Sequence, residues 1–278
     1  TREDIFDIYV QPLSWGATTW LTGHDEERQW IDHAIEKTIA YNSQNGQYDV
    51  SLQVTIPNEW KSYAPINIGY TAGIETTKVA HEWITAANGM NKVIVISNHS
   101  KNTYESTVYE GSDGNSSVIL KTQTDIEAVN YPVKVYNSLP EVELNLEHDI
   151  NFLSVAQWSP RKDIENSVRW FIEEFKDEEV GLVLKTNMAK NCLIDRENCE
   201  GMLRGLIGDL PKDRKCKLYL LHGDMTDEEM HSLYKHDKIS AYTAIPHGEG
   251  YGLPIFEAAY SGLPVVTIGW SGQLDFLV

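Results

Sequence analysis

From residue 151 onward, short apolar runs that fit buried strands alternate with stretches whose apolar residues recur at helical spacing. Residues 151–156, 180–185, 217–221 and 239–245 read as strands. Residues 163–175, 200–210 and 227–235 read as helices, the last with Thr226 as its N-cap. Such alternation rules out an all-helical bundle or an all-β sandwich and predicts a doubly wound parallel sheet. The first half repeats the pattern. Residues 48–56 (with Val50, Leu52, Val54 and Ile56 in alternation), 66–71 and the V-I-V-I run at 92–97 read as strands. Residues 26–41 and 76–87 read as helices, the second ended by Gly89, and the stripe Trp30, Ile31, Ala34, Ile35, Ile39 reads as core. The glycine- and serine-rich residues 111–117 read as an exposed loop. Periodicity lapses at 137–149 around Pro140, so the expected division is an N-terminal domain over 1–147 and a C-terminal domain over 148–278.

One connection stands out within that frame. His247-Gly248-Glu249-Gly250-Tyr251-Gly252-Leu253-Pro254-Ile255-Phe256-Glu257 joins a strand to a helix, and Gly262-Leu263-Pro264-Val265-Val266 leads into another strand. Pro254 suits the first helical turn, where its missing N–H costs nothing, and Gly262 suits the C-terminal cap. The glycines let backbone amides approach a ligand, and amides at a helix N-terminus attract anions. Glu249 stands before the helix and Glu257 within its early turns. That arrangement suits a ligand carrying both phosphate and hydroxyls, which describes a sugar nucleotide.

The stretch resembles the E-x7-E signature of retaining GT-B glycosyltransferases, in particular the glycosyl transferases group 1 (GT4-type) family. The resemblance covers residues 151–275 well and the first half loosely. It implies an α/β GT-B fold: two Rossmann-like, doubly wound domains facing a cleft, the C-terminal one truncated. Family members continue with further strand–helix units beyond residues 270–275, so the chain is expected to be a fragment of a longer protein. The resemblance also implies a metal-independent hexosyl transfer from a nucleotide-diphosphate sugar to a hydroxyl acceptor, with retention at the anomeric carbon. In that family the first Glu contacts donor-sugar hydroxyls and the second the ribose, roles that fall here on Glu249 and Glu257. The amides of Gly250, Tyr251, Gly252 and Leu253 would lie beside sugar and phosphates.

Family members carry an Arg and a Lys in the first loop of the C-terminal domain, which stabilise the departing phosphate electrostatically. Here that loop reads Ala156-Gln157-Trp158-Ser159-Pro160-Arg161-Lys162-Asp163. Lys162 matches the Lys, Gln157 stands in place of the Arg, and Arg161 is the candidate to compensate. Lys185, at the strand edge where open α/β sheets hold ligands, is a candidate second diphosphate contact. His247 is a candidate for sugar or phosphate. No His stands at the family's N-terminal cleft position; Glu75, within residues 69–76, is the acceptor-side candidate. Gly16, in Ser14-Trp15-Gly16, is a candidate second glycine loop facing the donor. His222 reads as structural and Ser100 as a helix N-cap.

A net charge of −18 disfavours nucleic acid and anionic membrane surfaces, and there is no basic amphipathic helix. No apolar run reaches the ~20 residues of a membrane span. Cys192, Cys199 and Cys216 are odd in number and lack metal-type spacing, so they read as reduced, buried thiols of a cytoplasmic protein. With no Asp-x-Asp and no His/Cys cluster of metal spacing, neither metal nor cofactor is expected beyond the nucleotide-sugar donor. The acceptor is expected to be a soluble glycan or a protein. The rival readings are a glycoside hydrolase using Glu249 and Glu257 as acid and nucleophile, a sugar-nucleotide epimerase, and a degenerate nucleotide-sugar-binding protein. Gln157 and the absent His favour the last of these.

Overall fold

The computed structural model describes residues 2–13, 25–113, 116–208 and 210–277; Gly16 lies outside the described residues. They group into two compact units, residues 1–51 with 62–67, and residues 52–61 with 68–278. In the smaller unit, α1 (Glu26–Ser43) is capped by Asp25, whose carboxylate accepts from the Arg28 amide at 2.8 Å. Tyr9 stacks on Tyr41 with ring centres 4.6 Å apart, and the Thr38 hydroxyl accepts from the Val10 amide. The buried stripe of α1 is narrower than its sequence suggests: Ala34 and Thr38 are buried, whereas Ile39 is exposed.

The chain continues through β1 (Val50–Val54), β2 (Ile66–Thr71), α2 (His81–Asn88), β3 (Lys92–Val95), α3 (Asn98–Ser106), β4 (Val108–Asp113), β5 (Ser116–Lys121) and β6 (Ile126–Ala128). Residues 129–149 carry no helix or strand. Then follow β7 (Ile150–Val155), α4 (Ile164–Phe175), β8 (Val180–Lys185), α5 (Leu193–Gly208), β9 (Lys217–Leu221), α6 (Asp227–Tyr234), β10 (Ile239–Ala244), α7 (Leu253–Tyr260) and β11 (Val265–Thr267). One sheet has the order β1-β2-β3-β6, with β2, β3 and β6 mutually parallel. The other has the order β11-β10-β7-β8-β9, parallel throughout.

That second order places the site. The chain leaves β7 outward through β8 and β9, then returns to the opposite side of β7 as β10. Loops leaving β7 and β10 therefore diverge at the carboxyl edge, where doubly wound sheets hold ligands. Strand alternation sends side chains to two faces. Leu182 and Leu184 pack with Ile164, Val168, Ile172, Leu203 and Leu206 of α4 and α5. Leu153 and Val183 pack with Leu233, Tyr234, Ile255 and Ala258 of α6 and α7. Among the described residues no helix is long and apolar enough to cross a membrane.

Several expectations need correction. The helix expected from residue 76 begins at His81, because Val79 is taken by tertiary bonds: its amide donates to Thr107 Oγ1 and its carbonyl accepts from the Tyr109 hydroxyl. Within 111–117, where a loop is expected, Gly111, Ser112 and Asp113 belong to β4 and pair antiparallel with Val118, Ser117 and Ser116 of β5. The helix expected from residue 200 starts at Leu193, and α3 is capped by Ser97, with Ser100 inside the helix. Val50, Leu52 and Val54 alternate as expected but are exposed. Cys192 is exposed, while Cys199 and Cys216 are buried; all three are free thiols.

The end of α7 follows its sequence signals. Gly262 adopts φ 86°, its amide donates to Ala259, and the Leu263 amide reaches back to Ala258, the paired bonds of a Schellman cap. A Cβ at Gly262 would meet no atom within 4 Å, so Gly262→Ala isolates the backbone term. It should lower stability by about 1 kcal/mol, the cost of a left-handed non-glycine residue, read from urea denaturation with an unchanged slope.

Candidate functional site

The two diverging loops are tied together by their backbones. Pro160–Lys162 forms one turn of 3₁₀ helix, and Asp163 takes φ 50° to enter α4. The His247 amide donates to the Arg161 carbonyl at 2.8 Å, and Arg161 Nη1 donates to the Gly248 carbonyl at 2.8 Å. Glu249 then falls between two cations although it is only 6% exposed. Its Oε1 pairs with Lys162 Nζ and its Oε2 with Arg161 Nη1 at 3.2 Å. Arg161 Nη2 extends the row to Glu75 Oε1 at 2.9 Å. Burial raises the Glu75 carboxyl above its usual value, and the Arg161 charge opposes that rise. Ser154, Ala156, Lys162, Tyr242, Glu249 and Ile255 line a small pocket beside this row.

The backbone of Glu249 is fixed as firmly as its side chain. Its amide donates to Ser271 Oγ at 2.7 Å, and its carbonyl accepts from the Gly272 amide at 2.9 Å. The next carbonyl, of Gly250, accepts from Ser97 Oγ at 2.6 Å. Asp275 sits over the start of α3, accepting from the Asn98 amide at 2.8 Å and from Asn130 Nδ2 at 2.9 Å.

The glycines also have a packing role. A Cβ on Gly248 would lie 2.1 Å from the Glu75 carbonyl oxygen, and one on Gly250 would lie 2.6 Å from the Cα of Gly73. These positions admit the protein's own backbone. Gly252 is needed for conformation instead, turning the chain into α7 at φ 89°. Tyr251 is buried, with its ring against Tyr131 and Phe276, while Leu253 is exposed at the first position of α7.

The remaining candidates stand apart from the charge row. Glu257, on α7, accepts from the Tyr234 hydroxyl at 3.1 Å; burial raises its carboxyl and this bond opposes the rise. Lys185 Nζ donates to the Gly223 carbonyl, and burial lowers its ammonium below the usual value. The His247 ring is exposed, 3.8 Å from Asp163. Gln157 donates to the Met188 carbonyl.

Sequence spacing missed one cluster. Asp195, Cys199 and His222, from α5 and the end of β9, come together in the interior. Asp195 Oδ1 accepts from the Met188 amide and His222 Nε2, each at 2.9 Å, and its Oδ2 from the Ala189 and Lys190 amides, each at 2.8 Å. The Lys190 amide leads these bonds in holding the carboxyl far below its usual range, against its burial. Burial and the Asp195 charge push the Cys199 thiol up to about 11. The carboxylate's lone pairs thus serve to fasten the loop before α5. Ser97 and Ser271 were also missed, since a lone serine after a strand carries no signal of a distant partner.

No family model and no curated protein matches the chain. Solved structures do resemble it. TarM aligns over 82% of this chain and 43% of its own, at 15% identity and a TM-score of 0.51. A UDP-forming α,α-trehalose-phosphate synthase from Burkholderia xenovorans aligns over 91% of this chain and 66% of its own, at 12% identity and a TM-score of 0.58. A trehalose-6-phosphate synthase studied for glycosyltransfer with retention aligns over 91% and 66%, at 10% identity and a TM-score of 0.50. The chain spans between under half and about two thirds of the length of these structures. At such identities the likeness is one of fold, the parallel α/β architecture of GT-B glycosyltransferase structures.

The charge row makes a direct prediction. Lys162→Met should destabilise the chain by about 3 kcal/mol, the low end for a broken buried pair because Arg161 still faces Glu249. Adding Glu249→Gln should recover most of that loss, since no charge is then left buried. A urea-denaturation double-mutant cycle reads both; additive losses would mean that Lys162 does not serve Glu249.

Proposed function

We propose that this chain belongs to a glycosyltransferase that moves a sugar from a nucleoside-diphosphate sugar to a hydroxyl acceptor, with retention and without a metal. The observation that carries the reading is the meeting of Lys162, Arg161 and Glu249 at the β7/β10 switch point, immediately before a helix that bears Glu257. Lys162 and Arg161 would face the negative charge that develops on the departing phosphate, charge a metal ion otherwise offsets. Glu249 would accept from donor-sugar hydroxyls. Glu257 would accept from the ribose, and Lys185 and His247 would add contacts to the diphosphate end. Glu75, linked to Glu249 through Arg161, would stand on the acceptor side. The UDP-forming synthase among the structural neighbours supports a nucleoside-diphosphate leaving group, and the synthase studied for retention supports that stereochemistry. The acceptor is a soluble glycan or a protein hydroxyl, in keeping with the net charge of −18. The division into an acceptor-side domain over 1–147 and a donor-side domain over 148–278 belongs to this reading.

A second reading has one observation in its favour. Gln157 turns its amide to Met188 rather than toward the charge row, which suits a protein that binds nucleotide sugar without transferring it. Release of nucleoside diphosphate from a nucleotide sugar by the full chain separates the two.

Turnover should persist in EDTA, and loss of activity restored by Mn²⁺ or Mg²⁺ would overturn the metal-free part of the proposal. Glu257→Gln should weaken UDP binding by one charge-assisted hydrogen bond or more, on the order of 1.5–3 kcal/mol. Glu249→Gln should act mainly on kcat, because the carboxylate that orients the sugar sets the approach to the acceptor. Calorimetric titration with UDP and initial rates check the pair. The opposite pattern would exchange the two roles.

A further inference from the structure

The Glu257 carboxylate is held by the neighbouring helix α6, and its carbonyl by Ser261 at the end of its own helix. The Tyr234 hydroxyl of α6 donates to Oε2 at 3.1 Å, and Tyr234 itself is 2% exposed, so this donor is fixed by its packing. One turn earlier on α6, His231 Nδ1 lies 3.2 Å from Ser261 Oγ, and the Ser261 hydroxyl donates to the Glu257 carbonyl at 2.7 Å. Among the described residues no hydrogen bond engages Glu257 Oε1.

We propose that Tyr234 is a positioning residue: its hydroxyl fixes Glu257 so that Oε1 is presented to a ribose hydroxyl of the donor nucleotide. The inference rests on the ribose assignment of Glu257 made above. The chemistry of the partner is what makes it apt. Glu249 is held by two cations, which share its negative charge with any ligand. A phenol orients a carboxylate without neutralising it, so the full charge remains for accepting hydroxyl protons. Burial holds the Tyr234 phenol well above its usual range, which keeps it a donor throughout. Partial desolvation raises the Glu257 carboxyl, and the Tyr234 bond is the interaction that opposes it. The groups facing Glu257 are Tyr234 and Asp227 from α6, Tyr242 from β10, and His231 by way of Ser261.

The sign of the effect follows. Only ionised Glu257 accepts from two hydroxyls, so nucleotide affinity falls as pH drops through its pKa. Removing the phenol oxygen takes away the opposing bond, raises that pKa further, and moves the acid limb of binding to higher pH. Calorimetric titration of the full chain with UDP, GDP and ADP from about pH 5 to about pH 8 tests this. Tyr234→Phe keeps the ring in its packed place. It should weaken UDP binding about fivefold at neutral pH, a partial loss of one hydrogen bond to a charged group, and shift the acid limb upward. Glu257→Gln should bind weakly with the limb abolished, and Tyr234→Phe should cost nothing further in that background. Ser261→Ala, which cuts only the tie to the Glu257 carbonyl, should leave the limb in place. Tyr234→Phe that matches wild type in affinity and pH profile, while Glu257→Gln is weak, overturns the inference and leaves Tyr234 a packing residue. Wild type that binds none of the three nucleotides, or Glu257→Gln that binds as wild type does, overturns the ribose assignment and the inference with it.

Discussion

The arrangement of the site depends on a carboxylate buried at the edge of a sheet. Glu249 is 6% exposed, and an isolated ion at that depth would cost several kcal/mol. It is sustained because Lys162 and Arg161 come from the loop after β7 while Glu249 comes from the loop after β10, and those strands are neighbours. The strand order is therefore a condition of the charge row. A chain that placed β8 between β7 and β10 would separate the cations from the carboxylate by a strand width on each side, about 5 Å.

The same carboxylate sets demands on the backbone around it. Ser271 and Gly272 hold the Glu249 main chain from one side, and Ser97 holds the Gly250 carbonyl from the other. Chain segments packed so closely leave no room for Cβ atoms, which explains glycine at 73, 248, 250 and 272. The row of charges passes through this junction, with Arg161 touching Glu249 in one half of the chain and Glu75 in the other. Packing and electrostatics thus draw the residue 73–75 segment to the same loop.

What the sequence made legible was what short-range physics determines. The strands of the second sheet carry short, predominantly apolar runs. The end of α7 has a glycine where only a left-handed residue closes the helix, and Thr226 with Glu229 forms a complete capping box. The resemblance names Lys162 and Glu249, and Arg161 enters only as a replacement for the Arg that Gln157 displaces; the mutual contact of the three is not legible in the sequence. What escaped depends on distant partners. The start of α2 is displaced by bonds from Val79 to Thr107 and Tyr109, the pairing of β4 with β5 is hidden because residues 111–117 are rich in glycine and serine, and α5 begins early because Asp195 fastens the preceding loop. The glycine-rich loop has a packing role that its sequence does not reveal, since the backbone that Gly248 and Gly250 admit comes from residues 73–75, far away in the chain.

The two glutamates illustrate why a fixed spacing matters more than either residue. Glu249 lies before Gly252, whose left-handed turn redirects the chain, and Glu257 lies beyond it on α7. The turn places them in unlike surroundings: Glu249 among cations at the carboxyl edge of the sheet, Glu257 exposed on α7 with a neutral phenol of α6 as its partner. A shift of one residue within the helix would rotate the second carboxylate by about 100° around the helix axis, away from Tyr234. The spacing is thus a statement about geometry: it selects one acid held by charge and another held by a hydrogen bond, joined by a glycine that no other residue replaces without strain.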